Sequence, residues 1–356
     1  MEIMEVKNLL RDTEPKMRAN RFYNEDCIEG CIKHIKSNSI DLIVTDPPYG
    51  IEGHTLHKHY NRKEEYVLDG YIEVPKADYG RFSEQWIGQA ERILRPGGSM
   101  YIVSGYTNLN DILSALKKTK LKEINHIIWK FNFGVHTTKK FVSSHYHILF
   151  YCKPGGVRTF NTYSRFGSTE KDEKQGSLNY QDREDVWIIN REYKPGMIKN
   201  KNELPKKLLI KMIQYSSVEG DIICDLFLGG FSTAKVAIGL NRFAVGFEKS
   251  KKSFDYQIKT LKQVIPGSLL ADLRIPKQDS IVNKGKAWSE MEMERLFKRY
   301  EDLYKSSNLK KQSIELLCKE FKRGYFSILN VLEKAERSKS SPEKQQQLFD
   351  LRSQEQ

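Results

Sequence analysis

The sequence predicts an α/β fold in which a doubly wound, mostly parallel sheet is followed by a small C-terminal helical module. Short apolar runs alternate with amphipathic stretches over residues 39–264, a pattern typical of β-α-β units. Two turns rich in Gly or Pro and carrying acidic residues follow apolar runs, where doubly wound sheets place ligand loops. After residues 266–268 (Pro-Gly-Ser) only helical periodicity remains. A chain of 356 residues is long enough for one large domain or two.

The elements of the sheet domain are predicted in order from the apolar runs and the residues that break them. Strands are expected at 39–46, 99–103, 124–130, 146–152, 221–226 and 242–248, and helices at 81–94, 108–118, 205–217, 232–240 and 250–264. Residues 50–80 are rich in His, Tyr and charge and contain no clear element. A loop of that length beside a strand that carries chemistry is typical of a functional flap.

Three helices are predicted beyond the break. Residues 289–292 (Ser-Glu-Met-Glu) form a capping-box pattern before apolar residues at helical spacing, which predicts a helix over 289–305. Two amphipathic stretches, Ile314–Phe321 and Tyr325–Leu332, follow and are joined through a glycine. The arrangement fits a helix-turn-helix module or a helical bundle packed on the main domain or a partner. We assign 280–337 to this module and expect 338–356, which is polar, to be disordered.

The tetrapeptide Asp46-Pro47-Pro48-Tyr49 ends the first apolar run and suits methylation of an amino nitrogen on a planar ring. The lone pair of such a nitrogen is delocalised into the ring, so the nitrogen must be drawn toward tetrahedral geometry before it can attack a methyl group. The Asp46 carboxylate and a backbone carbonyl held by Pro47 and Pro48 can accept its two N–H hydrogens. Tyr49 can stack on the ring. We therefore predict that these four residues are catalytic.

A second loop suits an adenosyl cofactor. The strand 221–226 runs into Gly229 and Gly230 and then into a helical pattern, so backbone at a helix N-terminus can approach a ligand closely. Glu248 follows the next strand, 23 residues after Asp225, which is the spacing at which nucleotide-binding folds place an acid on ribose hydroxyls. The loop lacks a Gly-Lys-Ser/Thr phosphate sequence, so a nucleoside fits better than a triphosphate.

Together these residues resemble the amino-methylating DNA methyltransferases that use S-adenosylmethionine. The tetrapeptide precedes the glycine loop, as in the permuted (beta) class of that family, and the likeness extends over residues 22–265. It implies a Rossmann-like methyltransferase domain over 1–267, with a target-recognition insert at about 154–200. It also implies that S-adenosylmethionine is bound by residues at the turns of the sheet, namely Asp26, Cys27, Asp46, Pro205, Asp225, Phe227, Gly229, Gly230, Ser232, Thr233 and Glu248.

Two further segments match the family, the turn at 95–99 (Arg-Pro-Gly-Gly-Ser) and the Trp-x-Lys-type segment at 129–130. Three positions depart from the common pattern. Leu226 replaces a proline, Phe231 replaces a glycine, and 203–204 (Glu-Leu) replace Gln-Lys before Pro205. The resemblance therefore implies cofactor contacts for the matching residues alone.

The resemblance implies a site-specific enzyme that methylates adenine N6 in duplex DNA after flipping the base out of the stack. Family members with Asp first in the tetrapeptide mostly modify adenine, and those with Ser first mostly modify cytosine N4. Cytosine N4 stays an alternative, because an Asp can hold either amine. A protein-glutamine methyltransferase also uses Pro-Pro-Tyr, but there the glycine loop comes first. A non-catalytic DNA-binding regulator is the third alternative, and the intact tetrapeptide counts against it.

The net charge of +13 is unevenly placed, which favours a nucleic-acid partner. It amounts to −4 over 1–115, +11 over 116–215, +2 over 216–279 and +4 over 280–356. The insert interleaves cations with aromatic and amide side chains, a mixture that suits phosphate and base contacts, and Arg165 and Arg183 are candidates for reading base edges. Double-stranded DNA is the expected partner. A homodimer and a cognate restriction endonuclease are left open.

The remaining composition predicts a location and excludes some classes. The five cysteines form no Cys-x-x-Cys pair, and Cys27 and Cys31 lie at the i, i+4 spacing typical of helix packing. We expect reduced thiols, no zinc and an intracellular, cytoplasmic protein. His54, His57 and His59 are spaced too loosely for a metal site. The N-terminus lacks a secretory signal, and no apolar run is long enough for a membrane span, so no membrane partner is expected.

Overall fold

The computed structural model describes residues 19–48, 74–132, 134, 137–192, 203–276, 283, 286–305 and 310–339. The chain divides into two compact units, of which the first runs to Ile275 without 167–170, and the second contains 167–170 and the residues from Pro276 onward. The predictions for Tyr49, for most of the 50–80 loop and for 340–356 lie outside the described residues.

The first unit is built on an eight-stranded sheet. Its strands are β1 (Arg21–Tyr23), β2 (Ile40–Thr45), β3 (Leu94–Ser104), β4 (Lys122–Lys130), β5 (His145–Cys152), β6 (Val186–Ile188), β7 (Ile222–Asp225) and β8 (Phe243–Phe247). The strand order is β1-β8-β7-β2-β3-β5-β4-β6. Among these strands β5 runs antiparallel to both of its neighbours, and the other pairs are parallel. The predicted doubly wound, mostly parallel sheet is confirmed.

Helices cover both faces of the sheet. They are α1 (Cys27–His34), α2 (Tyr79–Ile93), α3 (Leu109–Lys117), α4 (Leu178–Asp182), α5 (Lys206–Ser216), α6 (Ser232–Gly239) and α7 (Lys251–Leu261). One core lies between the sheet and α1, α2 and α3, and a second lies between the sheet and α5, α6 and α7. Every residue of β2 is buried, because the strand has apolar neighbours on both faces. This explains why the strands are visible in the sequence as continuous apolar runs.

The predicted strands and helices of this unit are confirmed, and most ends agree within three residues. The largest shift is at β3, which begins five residues before the predicted 99 because Leu94 already pairs with Ile40 of β2. Five short elements are additions to the predicted set, namely β1, α1, a 3-10 helix at Lys76–Asp78, α4 and β6. A signal for α1 is present in the sequence, since the Asp26 carboxylate caps it by accepting the Ile28 N–H at 2.9 Å.

The second unit contains α8 (Glu290–Lys305), α9 (Lys310–Phe321) and α10 (Tyr325–Lys339), so the three predicted helices are confirmed. The helix α10 extends seven residues beyond the predicted end, to Lys339, which shortens the stretch predicted to be disordered. The helices share a core made of Leu296, Ile314, Leu317, Phe321, Ile328 and Leu332. The buried Arg323 pairs with Glu292 at 2.7 Å and stacks on Trp288, so one guanidinium ties the helix connection to α8.

All five cysteines are free thiols, and Cys27 and Cys31 are buried side by side on α1, as their spacing predicted. None of the described helices is long and apolar enough to cross a membrane.

Candidate active site

The tetrapeptide and the glycine loop meet at the carboxyl edge of the sheet. Because β2 and β7 are parallel neighbours, the residues that follow them lie side by side. Thr45 Oγ1 donates to Asp225 Oδ1 at 3.0 Å, which joins the two segments directly. The order β1-β8-β7-β2 places Asp26 and Glu248 at the same edge, after β1 and β8. Four separate segments of the chain thus converge there.

The described part of the tetrapeptide is held by a buried tyrosine. Tyr79, the first residue of α2, donates its hydroxyl to the Pro48 carbonyl at 2.7 Å. Burial raises the pKa of Tyr79, an Asn108 hydrogen bond lowers it, and the nearby Asp46 raises it, so the phenol stays protonated at neutral pH. None of the described residues donates a hydrogen bond to the Pro47 carbonyl. The Pro48 carbonyl is therefore engaged by a side chain from outside the tetrapeptide.

Asp225 is a buried carboxyl at the end of β7. It is 5% exposed and accepts hydrogen bonds from the Thr45 hydroxyl, the Thr233 side chain and the Phe227 N–H. Burial raises its pKa to about 6, although these three hydrogen bonds oppose the shift. The neighbouring Leu226, where the family has proline, is buried in the core and contributes packing. Asp225 thus organises the loop from its start.

Glu248 closes the other side of the loop. Its Oε2 accepts the Gly229 N–H at 2.9 Å, and its Oε1 accepts the Ser250 N–H at 2.7 Å. Burial raises the pKa of Glu248, the two backbone N–H groups lower it, and the neighbouring Asp225 raises it. Each carboxylate oxygen has two acceptor positions, so Glu248 keeps capacity for the two hydroxyls of a ribose. Nothing in the sequence indicates the hydrogen bond that Glu248 accepts from the Gly229 N–H.

The departure at Phe231 has a structural consequence. Its φ of 58° is left-handed, the conformation for which the family uses glycine. Such backbone costs about 1–2 kcal/mol for a residue with a side chain. The ring is fully buried against Phe22 and Phe254, at 5.4 and 5.9 Å between centroids, and this burial contributes about 1.5–3 kcal/mol, which offsets the strain.

Gly230 is required by a close approach. A Cβ built there would lie 2.4 Å from Glu203 Oε1, so the carboxylate that replaces the family's amide stands directly against the loop. Lys235 Nζ donates to the Gly230 carbonyl at 3.0 Å, which stabilises the turn. The loop therefore leaves no room for a side chain on the side where Glu203 lies.

The remaining predicted cofactor residues border the same edge. Asp26 caps α1 and lies 3.5 Å from Lys249 Nζ, and burial raises the pKa of the adjoining Cys27, which is an unreactive thiol. Pro205 precedes α5, and Ser232 begins α6, and both helices start at the carboxyl edge. Phe227 packs edge-on against Trp86 at 5.5 Å. The structure brings the predicted residues together, apart from Tyr49, which lies outside the described residues.

The predicted recognition insert uses several of its cations internally. Arg165 Nε donates to Asp182 at 2.8 Å, and its Nη1 donates to Gln214 at 3.1 Å, so its guanidinium is engaged within the protein, and its contact with base edges stays a prediction. Arg158 stacks on Phe150 and Phe160, and Arg191 on Trp129, Phe131 and Tyr146. Arg183 is exposed, with its Nε on the Asn179 carbonyl. Local composition does not separate packing arginines from contacting ones.

Among the residues that the structure describes, no group of three or more His, Cys, Asp or Glu side chains is arranged so that it could hold a metal ion. His54, His57 and His59 lie outside the described residues.

The family is shown by comparison with known proteins. The model of the N6/N4 DNA methylase family matches residues 40–259, which include the tetrapeptide, the glycine loop and Glu248. The chain belongs to this family of DNA methylases.

Curated relatives agree with this assignment. The type II methyltransferase M.HpaI of Haemophilus parainfluenzae is 28% identical over 254 residues, which are 69% of this chain and 76% of that protein. The type II methyltransferase M.BglII of Bacillus subtilis is 26% identical over 279 residues, which are 71% of this chain and 72% of that protein.

Solved structures share the fold. The putative DNA modification methylase TTHA0409 of Thermus thermophilus, complexed with S-adenosyl-L-methionine, has a TM-score of 0.50 at 22% identity and covers 70% of this chain and 96% of its own. The cytosine-N4-specific PvuII DNA methyltransferase has a TM-score of 0.50 at 12% identity and covers 72% of this chain and 94% of its own.

Proposed function

We propose that this DNA methyltransferase transfers a methyl group from S-adenosylmethionine to adenine N6 at a specific sequence of duplex DNA. The observation that carries the proposal is the Thr45–Asp225 hydrogen bond, because it sets the amine-accepting segment beside the glycine loop. Asp46, rather than Ser, at the head of the tetrapeptide favours adenine over cytosine. Membership of the DNA methylase family favours DNA over a protein glutamine and favours an enzyme over a regulator.

The residues present fit an adenosyl cofactor. Glu248 has acceptor capacity for ribose hydroxyls, and Gly229 and Gly230 allow the backbone to approach the methionine portion. Asp26 and Cys27 border the part of the site that we assign to the adenine of the cofactor. The rest of the site is formed by Pro205, Asp225, Phe227, Ser232 and Thr233. When bound, S-adenosylmethionine supplies an electrophilic methyl group.

The chain's own residues act on the amine. The Asp46 carboxylate and the Pro47 carbonyl accept its two hydrogens, which localises the lone pair on nitrogen and aims it at the methyl group. The amine nitrogen would gain the methyl carbon as the S–C bond of the cofactor breaks and S-adenosylhomocysteine leaves, and we assign the extra proton on the nitrogen to the Asp46 carboxylate. The base must flip out, because its amine is unreachable while the base remains in the duplex. Tyr49 then stacks on the flipped base.

The test is sequencing with methylation detection, together with nucleoside mass spectrometry, on plasmid DNA from cells that express the protein. N6-methyladenine in one sequence context is expected. Asp46→Ala should abolish it while cofactor affinity, measured by calorimetry, stays near the wild-type value. Asp255→Ala, an exposed acid on α7, is the control and should leave methylation unchanged. N4-methylcytosine would overturn the base assignment, and a methyl group found only in protein would overturn DNA as the substrate.

A further inference from the structure

One long segment of this chain contains no acidic residue. Between Glu123 and Glu170 there are six Lys and Arg and four His but no Asp or Glu. Ordinary protein surfaces intersperse both signs of charge, so a long run of one sign is typical of contact with an anionic partner. The run contains most of β4, all of β5 and the hairpin loop that joins them.

The hairpin loop, residues 131–144, projects from the same edge of the sheet as the tetrapeptide. The strand β4 is parallel to β2 and β3 in direction, so its carboxyl end lies at the edge where Asp46 follows β2. The order β2-β3-β5-β4 and a strand spacing of about 4.8 Å put the two strands of the hairpin about 10 and 14 Å from β2. The hairpin loop is therefore a near neighbour of the segment that carries Asp46 along this edge of the sheet.

In the described part of the loop an aromatic side chain is exposed to solvent, and in sequence it lies between two lysines and β5. Phe141 is 98% exposed, and Lys139 and Lys140 before it are exposed as well. The Thr137 hydroxyl accepts the Lys140 N–H at 3.2 Å and donates to the Lys140 carbonyl, which gives the turn a defined shape. In the described part of the chain neither lysine forms an ion pair with a carboxylate.

We propose that Phe141 inserts into the duplex at the position vacated by the flipped base while Lys139 and Lys140 contact the flanking phosphates. The proposal rests on the proposed base-flipping methylation of DNA. Removing a base from the stack costs its stacking energy, and an apolar side chain wedged between base steps compensates part of that cost. A phenyl ring can stack on any base, so the insertion is independent of sequence.

The aromatic role is tested on two duplexes that carry the methylated sequence determined by methylome sequencing. One has the target base correctly paired, and in the other it faces a mismatched base and is already weakly stacked. Phe141→Ala should lower kcat/KM on the paired duplex by about 10- to 100-fold, and the mismatch should restore most of the loss. The kcat/KM of Phe141→Trp on the paired duplex should remain near the wild-type value. Ile265→Ala, 71% exposed just after α7 and outside the predicted insert, is the control.

Equal activity of Phe141→Ala and the wild type on the paired duplex, or an equal loss on both duplexes, would overturn the insertion. Absence of DNA methylation by the wild type would instead overturn the proposed function.

The phosphate contacts have a separate measurement. For Lys139→Ala/Lys140→Ala, the slope of log binding constant against log salt concentration should fall in magnitude by about 2. Lys117→Ala/Lys120→Ala removes two exposed lysines at the end of α3, on the opposite edge of the sheet, and should leave the slope unchanged. An unaltered slope in the first variant would show that these lysines do not contact phosphate.

Discussion

Tyr79 illustrates how a single hydroxyl outside the recognised motif can shape it. Consecutive prolines have no N–H groups with which to anchor their own backbone, so the segment after β2 depends on bonds supplied from elsewhere. The Tyr79 hydroxyl supplies one at the Pro48 carbonyl, and the buried Asn108 bonds to Tyr79 in turn. Tyr79 is therefore a positioning residue for the tetrapeptide.

Tyr79→Phe should lower kcat by about 10-fold with little change in cofactor affinity, because one hydrogen bond is lost and the acceptors shift relative to the amine. Steady-state kinetics and calorimetry measure the two effects. Tyr101→Phe is the matched control, since it removes an equally buried hydroxyl whose partner is Ser216 on the other face of the sheet. A similar kcat in both variants would contradict the positioning role.

Asp225 makes stability depend on pH in a defined direction. Its pKa is raised from 3.8 to about 6 in the folded protein, so its contribution to stability is fully present below pH 4 and is lost as pH rises through 6. Between pH 8 and pH 5 the folded state should gain about 1 kcal/mol from this group. Asp225→Asn should remove that gain from urea unfolding of the cofactor-free protein, whereas Asp255→Asn should retain it.

Among the elements of the first unit, the predicted insert and α5 are joined in part by the carboxylate of Asp182. Asp182, the last residue of α4, accepts from Arg165 at 2.8 Å and from the Tyr215 hydroxyl at 2.6 Å, and lies 3.5 Å from Lys211 Nζ. Lys211 is buried over the Trp187 ring, and burial lowers its pKa to about 8 although Asp182 opposes the shift. The Asp182 carboxylate is thus a shared partner of Arg165, Lys211 and the Tyr215 hydroxyl.

Asp182→Ala should destabilise the protein by about 3–5 kcal/mol, because it leaves the buried Lys211 unpaired. Thermal unfolding and proteolysis of the insert measure the effect, and sequencing should show a less selective methylation pattern. Asp172→Ala is the control, because that acid only organises a local turn with Gly176 and Gln181. Equal effects of the two variants would show that Asp182 is not the anchor.

For the molecule as a whole, the C-terminal helices and the insert are separate candidates for sequence recognition. The C-terminal unit has its own core, and residues 280–356 carry a net charge of only +4. A variant ending at Asp279 should bind DNA more weakly, with a flatter salt dependence, and mark an unchanged sequence in methylome sequencing. If the truncated enzyme is active but marks another sequence, the helices are the reader.

Sequence patterns alone are enough to predict the sheet, most of its helices and the chemistry of its two main loops. Buried strands appear as apolar runs wherever both faces are covered, as in β2, and the tetrapeptide and glycine loop are local patterns whose chemistry depends on residue type. The family assignment followed from those patterns and is confirmed over residues 40–259.

Which side chains meet, by contrast, depends on the packing of distant segments. The Thr45–Asp225 bond, the Glu248–Gly229 bond and the Tyr79–Pro48 bond join residues 180, 19 and 31 positions apart. The ion pair between Arg165 and Asp182 likewise depends on how the insert folds, and the pair between Lys211 and Asp182 on how the insert packs against α5. Short elements such as β6 form because a neighbouring strand offers hydrogen bonds. Local propensity does not encode such contacts, because tertiary packing sets their free energy.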